Sequence, residues 1–185
     1  MENPALIVVD MLNDFITGKL EVKRTKYIIP NLQRLVEAAR RNVVPVIYSN
    51  DAHYPQDPEV VEKWGKHAIK GTKGAEVIPE LKPTEKDYLV EKRTYSGFYE
   101  TGLDPLLRSL YKGEGVKTVI IGGLHTHMCV RHTAADAFFR GYNIIIAKDG
   151  VEAFTKEDHD QGLKYLENVY NAKIMTVDEI IKQFS

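Results

Sequence analysis

Thr118-Val119-Ile120-Ile121-Gly122-Gly123-Leu124-His125-Thr126-His127-Met128-Cys129 passes from an apolar run, through two glycines, to the only cysteine of the chain. A short apolar run bounded by glycine reads as a buried strand. The segment that follows, Val130–Arg140, is amphipathic and reads as a helix. Cys129 therefore stands where a strand turns into a helix. Working outward, four similar runs occur at Ala5–Asp10, Val44–Asn50, Tyr88–Glu91 and Asn143–Lys148, with a weaker one at Lys173–Val177. Helical patterns lie between most of them, at Pro30–Arg41, Asp104–Lys112 and Lys156–Val169. In the first helix Leu32, Leu35, Val36 and Ala39 recur at helical spacing, and Pro30 suits the opening turn because no N–H partner is needed there. Near-continuous apolar strands alternating with helices predict an α/β fold: a three-layer α/β/α arrangement around a parallel sheet of five to six strands.

The 185 residues fit one domain, 1–185, large enough to bury a core without staples. The stretch from Ala52 to Asp87 departs from the alternation. It is polar, broken by Pro55, Pro58, Pro79 and Pro83, and offers few apolar anchors. A loop of that length inside a compact domain points to function. A formal net charge of -1 with scattered Lys and Arg gives no footprint for nucleic acid or an anionic membrane. No run approaches the roughly 18 apolar residues of a membrane span. Met1-Glu2-Asn3-Pro4 lacks the basic start of a signal peptide, and a single thiol suits a reducing compartment, so a cytoplasmic protein acting on a small molecule is expected.

In open parallel sheets, ligands bind beyond the carboxyl ends of the strands. Here those ends carry Asp10, then Asp51-Ala52-His53, then Lys92, then Cys129. An acid, an acid with an imidazole, an amine and a thiol would share one edge. A lone cysteine is most often a buried small hydrophobe, but one at a helix N-terminus has its thiolate favoured by free N–H groups and the helix dipole. Asp10 could take the thiol proton and return it to a leaving amine, while Lys92 would favour the charged forms of both. Asp51 and His53 lie on the same side of an extended strand end, and His67 follows on the long loop. One carboxylate and two imidazoles suit a divalent transition metal, zinc first, with iron or manganese as alternatives.

Val8-Val9-Asp10-Met11, Lys92 ahead of Tyr95-Ser96-Gly97-Phe98, and Thr126-x-x-Cys129-Val130 with Thr133-Ala134-Ala135-Asp136-Ala137 together resemble the isochorismatase-like cysteine hydrolases. The resemblance spans nearly the whole chain. It implies a catalytic triad of Asp10, Lys92 and Cys129, which cleaves a small amide through a thioester. It implies an oxyanion hole from the N–H groups of His125 and Cys129, with a cis bond between Leu124 and His125. It implies metal ligation by Asp51, His53 and His67 as in nicotinamidases, with Phe15 and Trp64 flanking the substrate and Tyr95 as a further contact. It also implies a homo-oligomer, a dimer or larger. Nicotinamide hydrolysis to nicotinate and ammonia is the leading activity under this resemblance. An N-carbamoylsarcosine amidase-like or other small-amide hydrolase is the close alternative. A binding module without catalysis is the alternative of a different class. Leu12 stands where many relatives carry Gln, and His127 where many carry an acid. Arg93 sits beside Lys92 as a second basic residue.

Overall fold

The computed structural model describes residues 1–184. Six parallel strands form one sheet in the order β3-β2-β1-β4-β5-β6. They are β1 (Pro4–Val9), β2 (Val46–Asp51), β3 (Tyr88–Lys92), β4 (Thr118–Leu124), β5 (Asn143–Glu152) and β6 (Lys173–Met175). The main helices are α1 (Asn13–Ile16), α2 (Ile29–Arg41), α3 (Leu103–Ser109), α4 (Cys129–Phe139), α5 (Lys156–Tyr170) and α6 (Val177–Ile181). The strand period of two sorts β1 between two cores. Leu6 and Val8 join the layer of α2 and α6, while Ala5, Ile7 and Val9 join that of α3, α4 and α5. The expected α/β/α fold with a parallel sheet is present, with both faces covered.

The order reverses between β1 and β4, so the crevice above their ends is the topological switch point of the sheet. Gly123 makes the close approach there possible. Its φ is +105°, and a Cβ on it would lie 2.0 Å from the Val9 carbonyl oxygen. No other residue fits without parting β4 from β1.

Three details differ from the sequence expectation. The helix expected over Asp104–Lys112 stops at Ser109, because Tyr111 and Lys112 both adopt positive φ and turn the chain into Gly113. β5 runs four residues beyond Lys148, because a bulge carries its register from Ile146 to Val151 while β4 advances only from Ile121 to Gly123. That bulge breaks the apolar pattern and hides the continuation. The loop after β2 is anchored, contrary to expectation: Val60, Ala68, Ile78 and Leu81 are buried, and its backbone bonds to Met11 and Asn13. Its apolar residues follow neither period, so they were not legible as anchors. No helix among the described residues is long and apolar enough to cross a membrane.

Candidate active site

The residues named at the strand ends converge. The Lys92 ammonium lies 2.9 Å from Asp10 Oδ2, 2.5 Å from Asp51 Oδ1 and 3.5 Å from Cys129 Sγ. Asp10 leaves β1 with φ +52°, which turns the chain and leaves its carboxylate at the strand end. Its Oδ1 accepts the Asp51 N–H over 2.7 Å. All four groups are buried. Arg93, just past the end of β3, pairs instead with Asp57 while its guanidinium covers the Tyr54 ring. Lys92 is thus the basic group of this cluster.

Burial and the neighbouring Asp51 charge raise the Asp10 carboxyl to about 6. Burial would depress Lys92, but Asp10, Asp51 and Cys129 outweigh it and hold the ammonium charged. Burial pushes the Cys129 thiol well up, Lys92 opposes this, and the Asp10 and Asp51 carboxylates add to it. The resting sulfur is therefore favoured as a thiol rather than as the thiolate expected from the helix N-terminus alone, with burial the largest cause. The arrangement still supplies a proton acceptor tuned near neutrality beside a nucleophile.

Cys129 is the first residue of α4, and the Leu124–His125 peptide ahead of it is cis. Among the described residues, neither the His125 N–H nor the Cys129 N–H has a hydrogen-bond acceptor. Two free donors beside a nucleophile can hold an oxyanion.

Asp51, His53 and His67 are brought together as well, with one donor atom from each within 4.8 Å of the others. That spacing is near what metal bonds of about 2 Å require. His67 Nδ1 sits 2.7 Å from the Gly65 carbonyl, which leaves Nε2 free to ligate. His53 is fully buried with neither ring nitrogen hydrogen-bonded. Its Nδ1 faces the Asp57 carboxylate at 3.5 Å, and its Nε2 faces Asp51 at 3.5 Å. A buried imidazole flanked by carboxylates and lacking a partner fits a metal ligand with an outer-shell acid behind it.

Beside Cys129 lies a cavity of about 20 Å³, lined by Phe15, Trp64, Tyr95, His125, Phe154 and Glu59 among others. It has room for about one water, so any amide must displace lining side chains on entry. The expected aromatic residues Phe15, Trp64 and Tyr95 all reach it, and Trp64 donates its indole N–H to the Tyr95 hydroxyl over 3.2 Å. Phe98 instead packs in the core against Tyr142. Leu12 is likewise in the core, bridged to Val77. His127 stands outside the cavity lining, its ring 6.3 Å from that of His125.

Several lining groups escaped the sequence. Glu59 accepts a hydrogen bond from Thr94 over 2.7 Å and carries its other oxygen 4.0 Å from His53 Nε2. It opens a single helical turn, Glu59–Trp64, inside the long connection, too short for a periodic pattern to mark it. Phe154 follows the end of β5, so the strand-end rule would have found it had the bulge been recognised.

The isochorismatase domain model matches residues 4–179. The chain belongs to the isochorismatase family. It is an isochorismatase-family hydrolase whose relatives differ in the amide they are named for. The N-carbamoylsarcosine amidase of Thermoplasma acidophilum is 44% identical, with a TM-score of 0.87, covering 96% of this chain and 98% of that one. The pyrazinamidase of Pyrococcus horikoshii, solved in complex with zinc, is 31% identical with a TM-score of 0.86, covering 94% and 99%. Nicotinamidase 3 of Arabidopsis thaliana is 34% identical over 88% of this chain and 79% of its own length.

Proposed function

We propose that this isochorismatase-family protein is a cysteine amidohydrolase that releases ammonia from a small primary amide. The observation that carries this reading is the cluster in which Lys92 contacts Asp10 and Cys129 at 2.9 and 3.5 Å beside a cavity. Asp10 takes the thiol proton as Sγ attacks the carbonyl carbon. The Lys92 ammonium stabilises the thiolate and the carboxylate as charge moves between them. The N–H groups of His125 and Cys129 receive the oxyanion, aided by the positive end of α4. Asp10 returns the proton to the nitrogen, and ammonia leaves. Asp10 then deprotonates a water, which hydrolyses the thioester and frees the thiol.

Asp51, His53 and His67 would hold one divalent metal, with zinc the leading choice. When bound it would supply a Lewis acid that positions and polarises substrate. The metal set and the aromatic walls Phe15 and Trp64 support nicotinamide as substrate. The 44% identity to an N-carbamoylsarcosine amidase supports a carbamoyl substrate. A silent binding module is disfavoured, because all three groups of the Asp-Lys-Cys cluster are intact and in contact.

The test is ammonia release from nicotinamide, N-carbamoylsarcosine and simpler primary amides. The parent is expected to turn over at least one of them, and Cys129→Ala none. Turnover by Cys129→Ala close to the parent's would refute the reading.

A further inference from the structure

The His125 N–H lies on a turn, closed by the Met128 N–H bonding the His125 carbonyl over 2.9 Å. The His125 ring does not tether that turn by a hydrogen bond of its own. It is wedged against Phe15 at 5.6 Å and Phe154 at 4.5 Å, and its buried Nε2 has no partner. The tethers come from the next residue. The Thr126 N–H donates to the Glu152 carbonyl over 2.9 Å, which ties the turn to the end of β5. The Thr126 hydroxyl lies 2.9 Å from His159 Nδ1, which ties the turn to α5. Thr126 is fully buried, and among the described residues His159 is the hydrogen-bond partner of its hydroxyl.

His159 is itself fixed from several sides. Thr155 caps α5 by accepting the Asp158 N–H over 3.0 Å, which sets the helical register that brings His159 to the turn. Glu152 Oε1 faces the same Nδ1 at 3.7 Å, while Arg24 holds the other carboxylate oxygen at 3.1 Å. Three residues on, Gly162 seats the helix directly on the turn. A Cβ there would stand 3.0 Å from Thr126 Cγ2 and 3.2 Å from the His127 nitrogen. Neither Thr126, Glu152, His159 nor Gly162 lines the cavity, so their route to the chemistry is the turn.

By the reading above, on which this inference rests, negative charge builds on the carbonyl oxygen as Sγ attacks, and the N–H groups of His125 and Cys129 receive it. Such donors accelerate the reaction only when they are aimed before the charge appears. A misplacement of about 1 Å can cost about 100-fold. We propose that His159 is a positioning residue for the oxyanion hole: through the Thr126 hydroxyl it holds the His125 N–H where the carbonyl oxygen will stand.

The test sets amide turnover against a reaction of the same thiol that builds no oxyanion. Methyl methanethiosulfonate contains no carbonyl. It transfers its CH3S group to Cys129 Sγ as the S–S bond breaks, and methanesulfinate leaves with the thiol proton. Turnover is followed with whichever of nicotinamide and N-carbamoylsarcosine the parent hydrolyses. His159→Leu should lower kcat about 10-fold or more with KM little changed, as loss of an interaction made only in the transition state demands. Its rate with the thiosulfonate should equal the parent's. His159→Asn, whose amide nitrogen can take the place of Nδ1, should recover much of the loss. Thr126→Val removes the hydroxyl and keeps the shape, so it should reproduce the loss, and the double variant should be no worse than either single one. If His159→Leu does not fold, Thr126→Val against the parent makes the same comparison. Parental kcat in His159→Leu or in Thr126→Val overturns the inference while the amidohydrolase reading stands. An equal fall in turnover and in thiosulfonate rate also overturns it, because His159 would then support the whole cluster and not the hole. Should the parent release no ammonia from either amide or from simpler primary amides although the thiosulfonate modifies its Cys129, the amidohydrolase reading falls and takes the inference with it.

Discussion

Asp51 donates its backbone N–H to the Asp10 carboxylate over 2.7 Å, while its own carboxylate grips Lys92. One residue at the end of β2 thus belongs to both halves of the site. It orients the Asp10 carboxylate, the proposed proton carrier, and it offers an oxygen to the candidate metal site with His53 and His67. The two halves are coupled through Lys92, and a change in either should be felt in the other.

Asp10 has opposite effects on turnover and on thiol reactivity. Burial is the main reason the Cys129 pKa is raised, and the Asp10 charge adds to it, so removing that charge should lower it. Asp10→Asn should therefore lose turnover by about 10³-fold or more, because no base remains. Yet its Cys129 should react with iodoacetamide at neutral pH faster than the parent's. Thiol alkylation and ammonia release measured on the same preparation check this. A variant slow in both would mean that Asp10 only supports the fold here.

Metal binding should depend on neutral imidazole. Protein purified without chelator should carry about one equivalent of a divalent metal by elemental analysis, and His53→Ala should carry none. The nearby Asp51 carboxylate stabilises the protonated form of His53 and raises its pKa despite burial, so protons compete with the metal. Affinity should already be falling as pH drops towards about 6.5, the ordinary histidine value, because the His53 value lies above it. Titration of chelator-stripped protein at several pH values measures the effect. No metal uptake at any pH would remove the support for nicotinamide.

A surface-proximal anchor should report through acid stability. Asp87 closes the long loop by bonding Arg40 at 2.6 Å and the Thr84 backbone and hydroxyl. Burial opposes ionisation of its carboxyl, but these bonds outweigh burial and hold its pKa below the ordinary value. A depressed carboxylate stabilises the fold above the unfolded value near 3.9, and that stability drains away as pH falls through the folded value. Asp87→Asn should cost about 2 kcal/mol at pH 7 and much less near pH 3, as urea unfolding at the two pH values would reveal. An equal cost at both would contradict the ionic role.

Self-association is expected from an exposed aromatic patch. Phe139 is 71% exposed on α4, and Phe138 packs 5.7 Å from Tyr170 of α5 beside it. Light scattering should give at least twice the 21.0 kDa of one chain, and Phe139→Ser should lower that mass. A parent that runs as a single chain would disprove the assembly.

Periodicity alone was enough for the layered parallel fold, because strands buried on both faces must be apolar throughout and helices must carry one apolar stripe. It was enough, too, for the shared edge of Asp10, Asp51, Lys92 and Cys129, since a parallel sheet delivers every strand end to the same side. α6 left a legible trace in Thr176 and Glu179, a capping box, although five residues are too few for a periodic signal. What the linear order could not carry is contact between groups distant in sequence. The elevated thiol of Cys129 arises first from its burial and then from two carboxylates that the fold, not sequence proximity, places beside it. Glu59 and Phe154 reach the cavity only because a loop folds back and a bulge lengthens β5. The unpaired imidazole of His125 is a fact of tertiary packing: whether a ring nitrogen finds a partner depends on every element around it.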